Sequence, residues 1–129
     1  MGNITFELRH TSEGYVDLTK KVMSGNFSGS SSFTVSTDTL KNAVLALCKM
    51  KNELTGAYQL QDYDSNDFVL FEFMKWGHME ITGQVGGNHR KQYLMYQFTT
   101  DQTFLNEIIN SFQKVLSECR TFTHNALQQ

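Results

Sequence analysis

A chain of 129 residues, 40% hydrophobic and 12% aromatic, is the size of one domain and is rich enough in apolar side chains to hold a core, which excludes a disordered segment. Thirteen acidic against eleven basic residues leave a formal charge of −2, without the basic stripe of a nucleic-acid binder. There is no proline, which excludes proline-rich recognition segments, and two cysteines do not make a disulfide framework.

The whole of 1–129 reads as a single domain, with residues from about 120 to 129 forming a polar, fraying tail. Met1-Gly2-Asn3-Ile4 has neither the basic region nor the apolar core of a secretory signal, and Phe6 stands where a myristoylation pattern needs Ser or Thr. No apolar run approaches the ~18 residues that would span a bilayer. The expected location is therefore cytoplasmic, with no membrane partner.

Ile4, Phe6 and Leu8 alternate with Thr5, Glu7 and Arg9, the period of a half-buried strand. A turn at Ser12-Glu13-Gly14 leads to a second alternating run, Tyr15 to Val22, with Val16, Leu18 and Val22 on one face. The Lys20-Lys21 and Arg90-Lys91 pairs read as solvated strand ends. Phe27 and Phe33-Thr34-Val35 flank a Ser/Gly-rich stretch and give a third strand.

Ser36-Thr37-Asp38 offers N-cap side chains for a helix with Leu40, Ala43, Val44, Leu47, Cys48 and Leu54 on its apolar stripe, ended by Gly56 as a left-handed C-cap. A short strand, Ala57 to Asp62, is followed by the polar connection Tyr63 to Asp67 and an apolar strand, Phe68 to Trp76. His78 to Val85 then alternates, with Met79, Ile81 and Val85 opposite His78, Glu80, Thr82 and Gln84. Gly86-Gly87-Asn88 is a hairpin signal, and in the next strand Leu94, Tyr96 and Phe98 point inward. Thr99 and Gln102 match a capping box for a last helix whose stripe runs from Phe104 to Cys119.

The order β-β-β-α-β-β-β-β-α with short connections predicts an α+β fold. An antiparallel sheet of about six to seven strands would carry two helices on one face.

None of the candidate chemical motifs is complete. Asp62, Asp64 and Asn66 open an EF-hand pattern, but its sixth and twelfth positions hold Asp67 and Phe73 in place of Gly and Glu. His78-Met79-Glu80 is half of a zinc deaminase signature that lacks its P-C-x-x-C half. Both cysteines fall on apolar stripes, as small hydrophobes do. No catalytic residue, metal ligand or cofactor site is expected. The sheet face opposite the helices is different: alternation places Glu72, Trp76, Glu80 and Tyr93 there, among Leu70, Met74 and Met95. Aromatic anchors rimmed by charge suit a protein-binding surface, unless loops or the first strands cover that face as a second core.

From about Phe27 to Leu116 the chain resembles the WapI-type immunity proteins of bacterial polymorphic and contact-dependent toxin systems. FVLFEFMKWGHMEITGQV and YQFTTDQTFLNEIINSFQKVL carry the resemblance. It implies a small cytoplasmic protein that binds and neutralises a cognate toxin domain by occlusion, with no catalysis and no direct nucleic-acid contact. A basic toxin, such as a nuclease, would suit a partner surface built from Asp62, Asp64, Asp67, Glu72, Trp76, Glu80 and Tyr93. The chain itself is expected to be a monomer or a weak homodimer, and two other classes stay open: a small ligand-binding or enzymatic α+β domain, and a homodimeric structural module that pairs through an edge strand.

Overall fold

The alternating N-terminal third forms three strands, β1 (Gly2–Ser12), β2 (Tyr15–Ser24) and β3 (Phe27–Ser36), paired antiparallel in that order. The structure is a computed structural model. It describes residues 2–12, 14–62, 65, 67–86 and 93–128, except the side chains of residues 2, 11, 12, 33, 76 and 118–128. Helix α1 (Thr37–Glu53) follows. A second antiparallel meander comprises β4 (Ala57–Gln61), β5 (Phe68–Phe73), β6 (Met79–Gly86) and β7 (Tyr93–Thr100). Helix α2 (Gln102–Gln128) closes the chain. It continues through the residues that composition marks as a polar tail.

The fold is thus α+β and antiparallel, as the element order predicts. The strands, however, divide into sheets of three and four instead of forming one. The division falls at α1, the one long connection among the strands. Every strand pairs with its neighbour in sequence, and β3 does not pair with β4.

The two sheets meet face to face around one core. The inner face of the first carries Ile4, Val16, Leu18, Val22 and Val35, and that of the second carries Leu60, Val69, Phe71, Met79, Ile81 and Tyr96. Helix α1 adds Leu40, Ala43, Leu47 and Met50, and α2 adds Leu105, Ile108, Phe112 and Val115. Phe6 joins three elements, with its ring 6.2 Å from both Phe71 on β5 and Phe112 on α2. Each such large apolar side chain contributes about 1.5–3 kcal/mol when fully buried. The opposite face of the first sheet is polar: Lys21 bonds Glu7 at 2.9 Å and Arg9 lies 3.7 Å from Asp17. These exposed pairs add little stability.

Lys20 departs from its expected place. It is fully buried, and its Nζ donates to the Phe68 carbonyl at 3.1 Å and the Gln84 carbonyl at 2.9 Å. It thereby ties β2 to both β5 and β6. Lys20 is in phase with Val16, Leu18 and Val22, so the pleat turns it inward whatever its charge. Gly83 shares this corner. It is the cross-strand partner of Tyr96, whose ring crosses it so that Tyr96 Oη donates to the Phe68 carbonyl at 3.4 Å. A Cβ at Gly83 would collide with both Tyr96 Oη and the Phe68 carbonyl.

The helix ends also differ in part from the pattern. Ser36 caps α1 as expected, its Oγ accepting from the Thr39 N–H at 3.0 Å. At the other end the left-handed residue closing the helix is Leu54 (φ 55°), whose N–H reaches Met50 O at 2.7 Å, while Gly56 takes φ 103° two residues on. The cap of α2 is Asp101, whose Oδ1 accepts from the Phe104 N–H at 3.2 Å. Thr99 stands too early in the chain to serve, because β7 runs to Thr100 and the helix begins at Gln102. The hairpin residues Gly87-Asn88 and the Arg90-Lys91 pair lie outside the described residues.

Two substitutions check this account. Gly83→Ala should cost about 1–3 kcal/mol, read as a lower denaturation midpoint, because the colliding atoms belong to backbone and a buried ring. Leu54→Gly should raise stability by up to about 1 kcal/mol, since Leu54 is 45% exposed and only its left-handed backbone is relieved.

Candidate functional site

The outer face of the β4–β7 sheet is fixed by strand register. Ala57, Glu72, Glu80 and Thr99 form one row across it; Gln59, Leu70, Thr82 and Gln97 form the next; Gln61, Phe68, Gln84 and Met95 form the third. No residue of these rows is buried, and the edge positions are exposed. The first strands pack on the inner side, so they do not cover this face.

Two carboxylates stand directly opposite each other in the first row, since Glu72 and Glu80 are cross-strand partners. Like charges at that spacing oppose sheet formation. Glu80 is held by Gln97, whose Nε2 donates to Oε2 at 2.9 Å. Met74 (41%), just past β5, is exposed beside the pair, while exposed Met95 (51%) and Tyr93 (59%) lie towards the other end of β7 on the same face.

The end of this face is shaped by a bend. β5 stops at Phe73 and not at Trp76, because a single 3₁₀ turn, Lys75–Gly77, takes over. Met74 N–H closes the bend on the His78 carbonyl at 2.7 Å, and Gly77 supplies the positive φ of 77°. Met74, Lys75, His78, Glu80 and Thr99 line a hollow there. His78 and Glu80 therefore share a face, as their spacing predicts. Trp76 lies within the turn, and its side chain is outside those described. Among the described residues no three His, Cys, Asp or Glu side chains gather as a metal site. Cys48 is a half-buried free thiol on α1.

The acidic connection before β5 behaves differently from its sequence. Asp62 N–H bonds the Asp67 carbonyl at 2.9 Å, Ser65 Oγ donates to Asp62 Oδ2, and Asp67 N–H donates to Ser65 Oγ at 3.2 Å. This net turns Asp67 inward until it is 2% exposed. Asp67 is thus a counter-charge to buried Lys20 and offers a partner no surface. Asp62 is half-buried, and Asp64 lies outside the described residues. Of the seven residues assigned to a partner surface, Glu72, Glu80 and Tyr93 share the outer face.

Burial at this corner moves two side chains from their ordinary protonation. Desolvation pushes Lys20 down to about 8, against the pull of the Asp67 and Asp62 carboxylates. Tyr96 moves upward, first through burial and then through Asp67. Its ring centroid lies 5.9 Å from Lys20 Nζ.

The chain matches no family model, no curated protein and no solved structure. No helix among the described residues is long and apolar enough to cross a membrane.

The protonation shifts set a pH dependence. Between about pH 8 and 10.5 the unfolded chain holds a proton on Lys20 that the folded chain has released, so stability rises with pH across that window. Above about pH 10 the unfolded chain loses the Tyr96 proton that the folded chain keeps, so stability falls. Urea midpoints should therefore peak near pH 10, with an increase on the order of 2 kcal/mol from pH 8. A profile that is flat or falling from pH 8 to 10 would place the Lys20 ammonium in water.

Proposed function

We propose that the chain binds another protein through the outer face of the β4–β7 sheet. We further propose that its partner is a toxin domain, neutralised by occlusion. The observation that carries the reading is the opposed Glu72–Glu80 pair on an uncovered sheet face. A like-charge pair costs the isolated fold stability, and a cationic partner would turn that cost into attraction. Exposed Met74 beside the pair, with Met95 and Tyr93 further along the same face, would supply the apolar contact area that an ionic rim lacks. The resemblance of Phe27 to Leu116 to WapI-type immunity proteins supports the choice of a toxin over other protein partners. On this reading the chain performs no catalysis and acts in the cytoplasm of the toxin-producing cell.

The test is co-expression with the polypeptide encoded immediately upstream. A stable one-to-one complex that abolishes the toxin's activity is expected. Glu72→Lys/Glu80→Lys should weaken the complex at least about tenfold while leaving the fold intact. Full toxin activity in the presence of stoichiometric wild-type chain would sink the proposal. Glu72→Gln alone should stabilise the free chain by a few tenths of a kcal/mol.

A further inference from the structure

The end strands of the two sheets are protected unequally. β1 carries Glu7 and Arg9, charges that discourage a further strand from adding. β4 and β7 carry no charge either, but they are shorter, at five and eight residues. β3 spans ten residues, FSGSSSFTVS, without a charge or a proline. It has a neighbour on one side only, and among the described residues nothing hydrogen-bonds to its outward backbone groups. Its outer-face residues Ser28, Ser30, Ser32 and Thr34 are exposed, as is Phe27 at its start (68%).

We propose that β3 is a homodimerisation edge, on which β3 of a second copy pairs antiparallel to make a continuous six-stranded sheet. Identity of the partner follows from the strand itself. An uncharged strand meets its own copy without repulsion, and antiparallel pairing about a two-fold axis uses the same surface on both chains. A serine row suits self-pairing, since hydroxyls bond across strands: Thr19 and Ser32 already do so at 2.7 Å between β2 and β3.

The register is constrained as well. A two-fold axis perpendicular to the sheet keeps both inner faces on one side, so odd-numbered positions must oppose odd-numbered ones. With Ser31 on the axis, Phe27 lies opposite Val35 of the second copy, and Ser30 lies opposite Ser32. This arrangement uses the strand from Phe27 onward and gives exposed Phe27 a partner. The edge lies on a different sheet from the proposed toxin-binding face, so the two inferences stand or fall separately.

Sedimentation velocity on the full chain from about 1 to 100 µM should show a concentration-dependent shift from monomer to twice the monomer mass. Ser30→Lys/Ser32→Lys places lysine opposite lysine at two symmetry-related positions. It should raise the dimer Kd at least about tenfold, with circular dichroism unchanged. Ser30→Lys/Ser32→Glu places opposite charges there in the same register and should restore the dimer. A chain monomeric throughout that range overturns the proposal, as does a dimer indifferent to the lysine pair. A lysine pair that weakens the dimer without rescue by the lysine–glutamate pair overturns the register.

Discussion

The buried ammonium of Lys20 is the constraint from which the arrangement of the two sheets follows. Neither sheet pairs with the other by backbone among the described residues, so the polar link between them runs through this side chain. Two carbonyls on adjacent strands, Phe68 and Gln84, accept from one nitrogen on β2, which pins the first sheet to the second at that point. The corner is then built to tolerate that charge. Asp67 is drawn inward by its own loop, and Tyr96 lies over Gly83 because no side chain is there to prevent it. Burying a charge costs more than burying a methylene, so this contact adds specificity of docking more than it adds stability.

That division of labour separates the two faces of the β4–β7 sheet. The inner face must satisfy Lys20, the first sheet and both helices at once, and it has no freedom left for a partner. The outer face answers to register alone. Glu72 and Glu80 can be placed in opposition there because the core beneath holds the strands together against their repulsion. Gln97, from the next strand, orients one of them.

Most of the local structure was legible in the sequence, because it depends on periods of two and 3.6. The inward sets Met79-Ile81-Val85 and Leu94-Tyr96-Phe98 and the Ser36 cap all follow from spacing. Misplaced features depended on contacts distant in sequence. Periodicity says which side of a strand faces in, but not that β3 and β4 part company around α1. Thr99 and Gln102 satisfy a capping pattern, yet β7 runs on to Thr100 and the helix begins at Gln102, which puts the cap at Asp101. Gly56 was the better chemical choice for the left-handed position that Leu54 occupies. Lys20 was the most instructive miss. Its phase among Val16, Leu18 and Val22 was visible, and its charge argued against burial. The expectation from charge fails because two carbonyls and a carboxylate, one of them as far as 64 residues away, meet it. The inward turn of Asp67 is the other half of that failure.

The meander connectivity has a consequence for the order in which the molecule assembles. Each sheet consists of strands adjacent in sequence, so each can form from local contacts as its own segment leaves the ribosome. Lys20 belongs to the first segment, while its acceptors belong to the second. Until Phe68 and Gln84 are in place, the ammonium stays hydrated, and the first meander cannot bury its own central strand. Stripping water from that one nitrogen therefore belongs to the step at which the two sheets dock, after both segments are present. Interactions that form this late govern how slowly a native protein opens more than how quickly it closes. The corner around Lys20 acts in this sense as a latch on the lifetime of the folded state.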